Sequence, residues 1–399
     1  MSIQFVPLGQ VADLRAGVGF PLDLQGRTTG EYPVAKVGDI SRLGRSGEAV
    51  LTTADHYVEQ ADLTRLKARP VPAGSVLFAK IGEAIRQNHR VIAGCAMLID
   101  NNAMSAVPGP DIESRYLYHF LRTVDFYVMA SSTTVPALRK TQLEMIPVPL
   151  PPLPEQRRVA AILDQADGLR ARRQWALAKL DDLARSIFLG LFGDPVTNPL
   201  GWPEDTVLDD VADIVSGITK GRKLTGAATR EVPYLAVVNV QDRRLDLNTV
   251  KTIEATEAEI SRYQLKLGDL LLTEGGDPDK LGRGSLWNEE ISECIHQNHI
   301  FRVRLADDRI TPLFLNWLIG SQRGKRYFLK SAKQTTGIAS INLRQLRAFP
   351  ILTPPLALQQ RFVAAIECVS ALTAEVQQSR TALDDLFASL QYRAFGGAL

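Results

Sequence analysis

The residues that could bind a metal ion lie together in one short segment of the chain. The sequence ECIHQNH places Cys294, His296 and His299 close to one another. Thiolate and imidazole groups are common zinc ligands, but a structural zinc site needs four ligands in a tetrahedral arrangement. On a strand, Cys294 and His296 would lie on the same side, and the sequence offers no obvious fourth ligand. We therefore expect no metal site in this chain.

Motifs for nucleotide chemistry are also missing from the sequence. The stretches GITKGRK and GSQRGKR resemble phosphate-binding loops, but neither has the spacing GxxxxGK[ST]. No Asn-Pro-Pro-aromatic motif for adenine methylation, glycine-rich cofactor loop or nuclease-like cluster of carboxylates with lysine stands out. The pairs Asp181-Asp182 and Asp384-Asp385 would point in different directions on a helix, so we interpret them as solvated or as partner contacts. The sequence predicts a chain that is not an enzyme on its own and that holds no cofactor.

Composition narrows the class of protein. The 399 residues carry 46 Lys and Arg against 44 Asp and Glu, so a net charge of +2 gives no overall attraction for a polyanion. Hydrophobic residues make up 45% of the chain, which is enough for the cores of two or more domains. The three cysteines are far apart, and no run of about eighteen apolar residues occurs. The start MSIQFVPLGQ lacks a basic region before an apolar run, so we expect a cytoplasmic protein.

The chain contains two copies of one sequence pattern. LGQVADLRAG at Leu8–Gly17 corresponds to LDDVADIVSG at Leu208–Gly217, and YPVAKVGDI at Tyr32–Ile40 corresponds to VPYLAVVNV at Val232–Val240. Further pairs follow in the same order: AGSVLFAKIGE and LGDLLLTEGGD, IESRYLYHFL and ITPLFLNWLI, TTVPALRKTQL and TTGIASINLRQL, LDDLARSIFLGLFG and LDDLFASLQYRAFG. Their nearly constant spacing of about 200 residues indicates a tandem duplication.

Each half ends in a long predicted helix. The segment PPLPEQRRVAAI, which we call the lead-in segment, begins at Pro151. Residues 155–192 contain no proline, and their apolar residues recur at the spacing of a coiled coil. Residues 358–395 repeat this pattern after the lead-in segment PPLALQQRFVAAI. Matching VAAI in both lead-in segments requires one inserted residue in the second, where Ala357-Leu358 replaces Pro154. Each helix would be ~57 Å long, and we expect the two to bury their apolar stripes against each other.

The region before each helix has a different composition. It mixes strand-like runs, turn residues and short helices, which is typical of a compact α+β globule. We therefore predict a mixed α+β fold with two tandem-duplicated globules, separated by two long antiparallel helices that form a coiled-coil spacer. The predicted segments are a globule at 1–150, a helix at 151–195, a globule at 196–350 and a helix at 351–399.

The starts and ends of the two helices carry a resemblance to a known family. PLPPLPEQRRVAAILD with LDDLARSIF, and TPPLALQQRFVAAIE with LDDLFASL, resemble the specificity subunit of type I restriction-modification systems, the HsdS family. The resemblance covers nearly the whole chain, although the second lead-in segment lacks the Pro-Glu of PPLPEQ. It implies two target recognition domains that each read one half of a split, asymmetric sequence in double-stranded DNA. It also implies that helices which are conserved in that family hold these domains apart and bind methyltransferase subunits.

The resemblance assigns catalysis to partner subunits. Two copies of the methyltransferase HsdM would methylate adenine with S-adenosylmethionine, and the motor and nuclease HsdR would cleave DNA with ATP and Mg²⁺. The residues that it implies for partner docking are Glu155, Gln156, Arg157, Leu180, Leu183, Gln360, Arg361, Leu383 and Leu386. Other classes stay open: an enzyme with a site built from dispersed residues, a coiled-coil scaffold without DNA selectivity, and a specificity module of another phage-defence methylase.

Polar and basic loops near the repeat landmarks are the candidates for DNA contact. Arg can bind guanine through two hydrogen bonds, Asn or Gln can bind adenine, and Lys mostly contacts phosphate. Any single one of these side chains is more often a solvated surface group. The candidates are Lys80, Arg86, Gln87, Asn88, Arg90, Arg139 and Lys140 in the first half, and Lys220, Arg222, Lys223, Gln241, Arg243, Arg244, Lys280, Arg283 and Arg344 in the second half.

Overall fold

The chain folds into two compact units. The computed structural model describes residues 4–130, 135–223, 226, 228–276, 281–335 and 338–396. Unit 1 consists of residues 1–178 and 374–399, and unit 2 consists of residues 179–373. The boundary falls within both long helices, so each unit contains one globular region and one segment of each helix. The predicted mixed fold with two long helices is confirmed.

The first half of the chain contains β1 to β10 and α1 to α7. The strands are β1 (Phe5–Pro7), β2 (Ala12–Ala16), β3 (Tyr32–Ala35), β4 (Val50–Leu51), β5 (Tyr57–Val58), β6 (Val76–Ala79), β7 (Arg90–Ala93), β8 (Leu98–Ile99), β9 (Ala103–Pro108) and β10 (Pro147–Pro149). The helices are α1 (Leu8–Val11), α2 (Val37–Ser46), α3 (Gln60–Leu66), α4 (Ser114–Thr123), α5 (Phe126–Met129), α6 (Lys140–Glu144) and α7 (Leu153–Phe192). Short 3-10 helices lie at Leu22–Leu24 and Glu83–Gln87.

The second half contains β11 to β24 and α8 to α12. The strands are β11 (Thr206–Val207), β12 (Ala212–Ser216), β13 (Thr229–Leu235), β14 (Val240–Gln241), β15 (Arg244–Leu245), β16 (Lys251–Thr256), β17 (Leu270–Thr273), β18 (Gly275–Gly276), β19 (Gly284–Leu286), β20 (Ile295–His296), β21 (Ile300–Leu305), β22 (Lys333–Thr335), β23 (Ile338–Ser340) and β24 (Pro350–Ile351). The helices are α8 (Glu257–Tyr263), α9 (Pro312–Gly320), α10 (Gln322–Ser331), α11 (Leu343–Arg347) and α12 (Leu356–Gly396). Short 3-10 helices lie at Leu208–Asp210 and Val237–Asn239.

The duplication extends to sheet topology. Unit 1 has a sheet in the order β2-β9-β6-β7-β4, and unit 2 has one in the matching order β12-β21-β17-β19. A smaller sheet, β5-β3-β8 in unit 1 and β16-β13-β20 in unit 2, also combines an antiparallel pair with a parallel pair in both cases. The repeated glycines have one structural cause: a Cβ at Gly17 would lie 1.9 Å from the Asp100 carbonyl oxygen, and one at Gly217 would lie 2.0 Å from that of His296.

Each unit has a core beneath its larger sheet that includes helix residues. In unit 1, Tyr116 of α4 and Phe78 of β6 lie in one buried cluster with Leu163 of α7 and Phe387 of α12. In unit 2, Phe314 of α9 clusters with Phe188 and Phe192 of α7 and with Phe362 of α12. The helices therefore bury their apolar side chains against the globular region as well as against each other.

The helix segments run antiparallel within each unit. In unit 1, Arg170 of α7 donates to Asp384 of α12 at 2.5 Å, and Arg173 donates to Ser379 at 3.0 Å. A later residue of α7 thus meets an earlier residue of α12. In unit 2, the rings of Phe188 and Phe192 lie 5.5 and 5.4 Å from the ring of Phe362. None of the described helices is long and apolar enough to cross a membrane.

A buried glutamine locks the start of each long helix. The Gln156 side chain accepts from the Glu113 N–H at 2.8 Å and donates to the carbonyls of Asp111 at 2.9 Å and Pro151 at 2.8 Å. This amide joins the helix to the turn before it and to the segment that leads into α4. The prolines of the lead-in segment have no N–H and cannot donate to a neighbouring carbonyl. The Gln156 side chain supplies the donor for the Pro151 carbonyl.

The same lock occurs in the second half. Gln359 accepts from the Thr311 N–H and donates to the carbonyls of Arg309 and Pro354, each at 2.8 Å. The expected insertion in the second lead-in segment is therefore wrong. Gln359 corresponds to Gln156 without a gap, and both glutamines follow the start of their helix at the same distance. The two VAAI stretches are identical in letters but not in place, because Val159 of the first stretch corresponds in the core to Phe362, which precedes the second.

Candidate DNA-contacting edges and helix surfaces

Lys80 follows β6 and is held between two other segments of unit 1. Its N–H donates to the Asn102 carbonyl at 2.8 Å, and its carbonyl accepts from the Leu138 N–H at 2.9 Å. The bond to Leu138 brings together the two candidate loops of the first half, which are distant in sequence. The resulting edge, which we call edge 1, carries Lys80 with the exposed Arg139 and Lys140.

Three other candidates of unit 1 have partners within the fold. The Arg86 guanidinium donates to the Tyr127 hydroxyl at 2.5 Å and lies 4.2 Å from the centre of that ring. Arg90 is buried, lies 3.8 Å from the Phe126 ring centre and donates to the Asn88 side chain at 2.8 Å. Burial lowers the pKa of Arg90 to about 9, so it remains a cation at neutral pH. The Arg90 guanidinium thus has a cation–π partner, Phe126, within the fold.

Unit 2 has a corresponding edge, edge 2, at the end of β17. The Glu274 N–H donates to the His299 carbonyl at 3.0 Å, and the Glu274 carbonyl accepts from the Ile341 N–H at 2.9 Å. The side chains of Glu274 and His299 also meet, with 2.5 Å between the carboxylate and Nδ1. Arg344 is exposed on the adjacent α11. Edge 2 thus repeats the backbone bonding of edge 1 with different side chains.

The loop at 219–223 contains one paired arginine and two lysines on the surface. Arg222 binds the Glu259 carboxylate through two hydrogen bonds, of 2.5 and 2.8 Å. These bonds lower the pKa of Glu259 to about 2. Lys220 is exposed, with its ammonium 5.7 Å from the Tyr234 ring centre, and Lys223 is exposed as well. Arg222 would have to leave a two-point ion pair to contact DNA, whereas the lysines would not.

The hairpin β14–β15 brings two further candidate loops together. The Arg243 N–H donates to the Gly284 carbonyl at 2.8 Å, and the Arg283 guanidinium donates to the Gln241 side chain at 3.2 Å. Gln241, Arg243 and Arg283 therefore lie in one group. Lys280, another candidate from the same stretch of sequence, lies outside the described residues.

Arg243 and Arg244 differ in their surroundings. Arg243 adopts a left-handed backbone conformation with φ of 55°, and its guanidinium lies 4.0 Å from the Trp317 ring centre. It also lies 4.0 Å from the Asp181 carboxylate of α7. Arg244 is exposed on β15. Arg243 is therefore held by contacts within unit 2, while Arg244 lies on the surface.

The cysteine and histidines considered for a metal have separate environments. Cys294 is buried, and burial raises the pKa of its thiol to about 12. His296 is buried with Nδ1 3.1 Å from the Tyr263 carbonyl oxygen, and burial lowers its pKa to about 4. His299 bonds Glu274 on the surface. Among the residues that the structure describes, no group of three His, Cys, Asp or Glu side chains could hold a metal ion.

A family model matches both halves of the chain. The family described as "Type I restriction modification DNA specificity domain" matches residues 2–175 and residues 201–383. The matches together span most of the chain, with one copy in each half. The chain belongs to this family.

Curated relatives carry the same description. The chain is 23% identical over 312 residues to the specificity subunit of the type I restriction enzyme StySPI of Salmonella potsdam, which covers 73% of this chain and 67% of that protein. It is also 23% identical over 312 residues to the EcoKI specificity subunit of Escherichia coli K12, which covers 72% of this chain and 66% of that one. The aligned region thus spans about two thirds of the length of each relative.

Solved structures share the fold. The type I restriction-modification S subunit of M. genitalium aligns over 99% of this chain and 96% of its own, with a TM-score of 0.56 and 14% identity. A chain from a structure on complex assembly and conformational transition of the type I R-M system aligns over 100% of both chains, with a TM-score of 0.53 and 17% identity. The fold of the family is thus present over the full length of this chain.

The residues predicted for partner docking lie in different environments. Gln156 is buried in the lock at the start of α7, and Glu155 pairs with Arg158 of its own helix at 2.7 Å. The remaining residues divide into the exposed Arg157, Leu183, Gln360, Arg361 and Leu386 and the half-buried Leu180 and Leu383. Leu183 and Leu386 occupy equivalent positions in the two helices, with 46% and 49% of their surface exposed.

Sequence reasoning missed the second residue of the helix lock, and it missed Glu274, His299 and Asn102 at the two edges. Gln359, rather than the exposed Gln360, is the counterpart of Gln156. Glu274 was missed because a carboxylate is not a typical contact of a polyanion, and Asn102 was missed because it lies in the turn before β9, outside the basic loops that were selected. Aligning the repeats strand by strand would have found them, since Glu274 follows β17 where Lys80 follows β6.

Proposed function

We propose that this chain reads a split, asymmetric sequence in double-stranded DNA, with one globular region for each half. The observation that carries this proposal is that one backbone framework occurs twice with different polar side chains at equivalent places. Edge 1 presents Lys80, and edge 2 presents Glu274 at the corresponding position. Two identical readers would recognise a repeated sequence, whereas two different readers recognise an asymmetric one.

The charge distribution supports contact with DNA at edge 1. Lys80, Arg139 and Lys140 come from two loops that the bond between the Lys80 carbonyl and the Leu138 N–H joins. Lys140 lies 3.6 Å from the Glu144 carboxylate on the surface of α6, an exposed pair that DNA can displace at little cost. Lysine and arginine side chains in such a group bind phosphates and base edges. The exposed Lys220, Lys223 and Arg244 of unit 2 would have the same role.

We also propose that two copies of a methyltransferase subunit, HsdM, dock on the helices. Exposed leucines recur at equivalent positions: Leu169 with Leu372, and Leu183 with Leu386. Each unit carries one residue of each pair. A partner that recognises this pattern would find it twice in one chain, which gives a ratio of two partners to one specificity subunit.

In this proposal, the partner subunits perform the chemistry in the cytoplasm. HsdM transfers a methyl group from S-adenosylmethionine to adenine, and a motor and nuclease subunit, HsdR, uses ATP and Mg²⁺ to cleave DNA. The role of this chain is to position those subunits on one DNA sequence. The resemblance of the helix lead-in segments and the membership of the family support this division of labour.

The experiment that tests the proposal is co-expression of the chain with the methyltransferase subunit of its own system in a host that lacks adenine methylation. We expect a stable complex and, by sequencing of methylated adenines, one split motif modified on both strands. A stable complex without methylation would favour a scaffold and would refute the specificity function. The absence of any complex would refute the docking proposal.

A further inference from the structure

We propose that Glu274 and His299 contact a base pair in the second half of the DNA site and determine its identity. Lys80 and Asn102 occupy the equivalent place for the first half. This inference rests on the proposed function, because it assigns the recognition chemistry of the two edges. Sequence reasoning did not select Glu274, His299 or Asn102 as DNA contacts.

The equivalence of the two places follows from backbone hydrogen bonds. Lys80 and Glu274 each follow the strand that lies third in the order of the matching sheets, β6 and β17. The N–H of each residue donates to the residue just before a strand, Asn102 before β9 at 2.8 Å and His299 before β21 at 3.0 Å. The carbonyl of each residue accepts from an incoming loop at 2.9 Å. The backbone therefore delivers the two side chains to corresponding positions in their units.

The two side chains have opposite charge. On a surface that binds a polyanion, a carboxylate opposes phosphate binding, whereas the lysine of edge 1 favours it. A carboxylate in the major groove can instead accept a hydrogen bond from the N4 amino group of cytosine. Lysine has donors alone and suits the O6 and N7 acceptors of guanine. Lys80 in edge 1 and Glu274 in edge 2 would therefore bind different bases.

His299 orients the carboxylate. Its Nδ1 lies 2.5 Å from one oxygen of Glu274, and the side chains are 55% and 33% exposed. Since this bond uses one carboxylate oxygen and one ring nitrogen, the other oxygen and Nε2 can still bind a ligand. An exposed pair of this kind adds little to the stability of the fold. Asn102, at the place of His299 in edge 1, is also exposed. Its amide nitrogen donates one hydrogen to the Asp100 carboxylate at 3.4 Å, and its second hydrogen and its carbonyl oxygen can bind adenine through two hydrogen bonds.

The test is selection of DNA from a randomised duplex library by the complex of the full chain with its methyltransferase subunit. The wild-type complex should enrich one split motif. The variant Glu274→Gln should lose about tenfold in preference at one base pair of one half-site, the energy of one good base contact. The other half-site should keep its preference. His299→Asn should affect the same base pair, which provides a second variant at this site.

Glu257→Gln is the matched control. Glu257 is an exposed carboxylate of the same unit, and it pairs with Arg230 at 2.5 Å. The same change of charge there should leave the motif intact. Unchanged preference in Glu274→Gln and His299→Asn, with the wild-type melting temperature, would overturn the inference, and so would an equal loss of binding to all sequences. If the wild-type complex enriches no split motif, the proposed function fails and the inference fails with it.

Discussion

Replacing Gln359 with leucine would remove the lock at the start of α12 while keeping most of the side-chain volume. The amide of Gln359 is fully buried and bonds the Thr311 N–H and the carbonyls of Arg309 and Pro354. Leucine can fill the space but can neither donate nor accept. The three backbone groups would then lose their partner, in one fully buried and two partly buried hydrogen bonds.

The size of the effect follows from the number of groups left unpaired. A buried polar group without a partner costs about 1 to 3 kcal/mol. The lower end of this range, applied to the N–H of Thr311 and the two carbonyls, gives a loss of about 3 kcal/mol in the free energy of unfolding. In a domain of roughly 200 residues, this corresponds to a decrease of about 6 to 12 °C in melting temperature.

The assay is urea unfolding of the full chain with the neighbouring glutamine as control. Gln360 lies in the same turn of α12 but is exposed. Gln360→Leu should stay within about 0.5 kcal/mol of the wild type, as surface substitutions do. Gln359→Leu should lower the midpoint with little change in the dependence on urea, since the surface exposed on unfolding is the same. Gln156→Leu should destabilise unit 1 to a similar degree.

Two results would refute this reasoning. If Gln359→Leu and Gln360→Leu unfold at the same urea concentration, the buried amide does not hold the helix start. If Gln359→Leu is destabilising but Gln156→Leu is not, the two locks are not equivalent despite their matching hydrogen bonds. Neither result depends on DNA binding or on a partner subunit.

Two further predictions concern unit 2. Arg243→Ala should lower its stability by about 1 kcal/mol through loss of the contact with Trp317, while Arg244→Ala should weaken DNA binding alone; equal melting temperatures for the two variants would contradict this. The pKa of His296 is lowered from 6.5 to about 4, so the unfolded chain binds a proton below about pH 6.5 that the folded chain refuses until about pH 4. Stability should therefore fall by up to about 3 kcal/mol as the pH falls through this window, and His296→Gln should show a flatter pH dependence in chemical unfolding.

The sequence was sufficient for the duplication and the long helices because their signals are periodic. The helices begin at Leu153 and Leu356, two residues before the predicted starts at 155 and 358. In α7 the first turn includes Pro154, whose missing N–H is not needed there. In α12 the same place holds Ala357, which has no such restriction. The alignment of the second lead-in segment was wrong because it matched letters. Phe362 lies in the core of unit 2 where Val159 lies in the core of unit 1, and the letters VAAI do not show this.

The sequence selected the loops of edge 1 but, apart from Arg344, not the residues of edge 2. Arg90, Arg222 and Arg243 look like DNA contacts in the sequence, yet each is stacked or paired within the fold. Their partners are distant in sequence or belong to another element, so residue type alone could not reveal them. Pairing with a carboxylate or a ring consumes the same guanidinium surface that DNA would use. Exposure, which depends on the tertiary structure, separates Arg244 from Arg243.

The two halves of the chain allow structural and recognition roles to be separated within one molecule. Gln156 and Gln359 are identical, and in both cases the side chain itself bonds the backbone. Gly17 and Gly217 are identical because any side chain would meet a carbonyl. Lys80 and Glu274 differ, and at these positions it is the main chain that the fold holds. A duplicated chain can thus change the residue at each edge without disturbing its framework, which is the property that two different readers of one DNA site require.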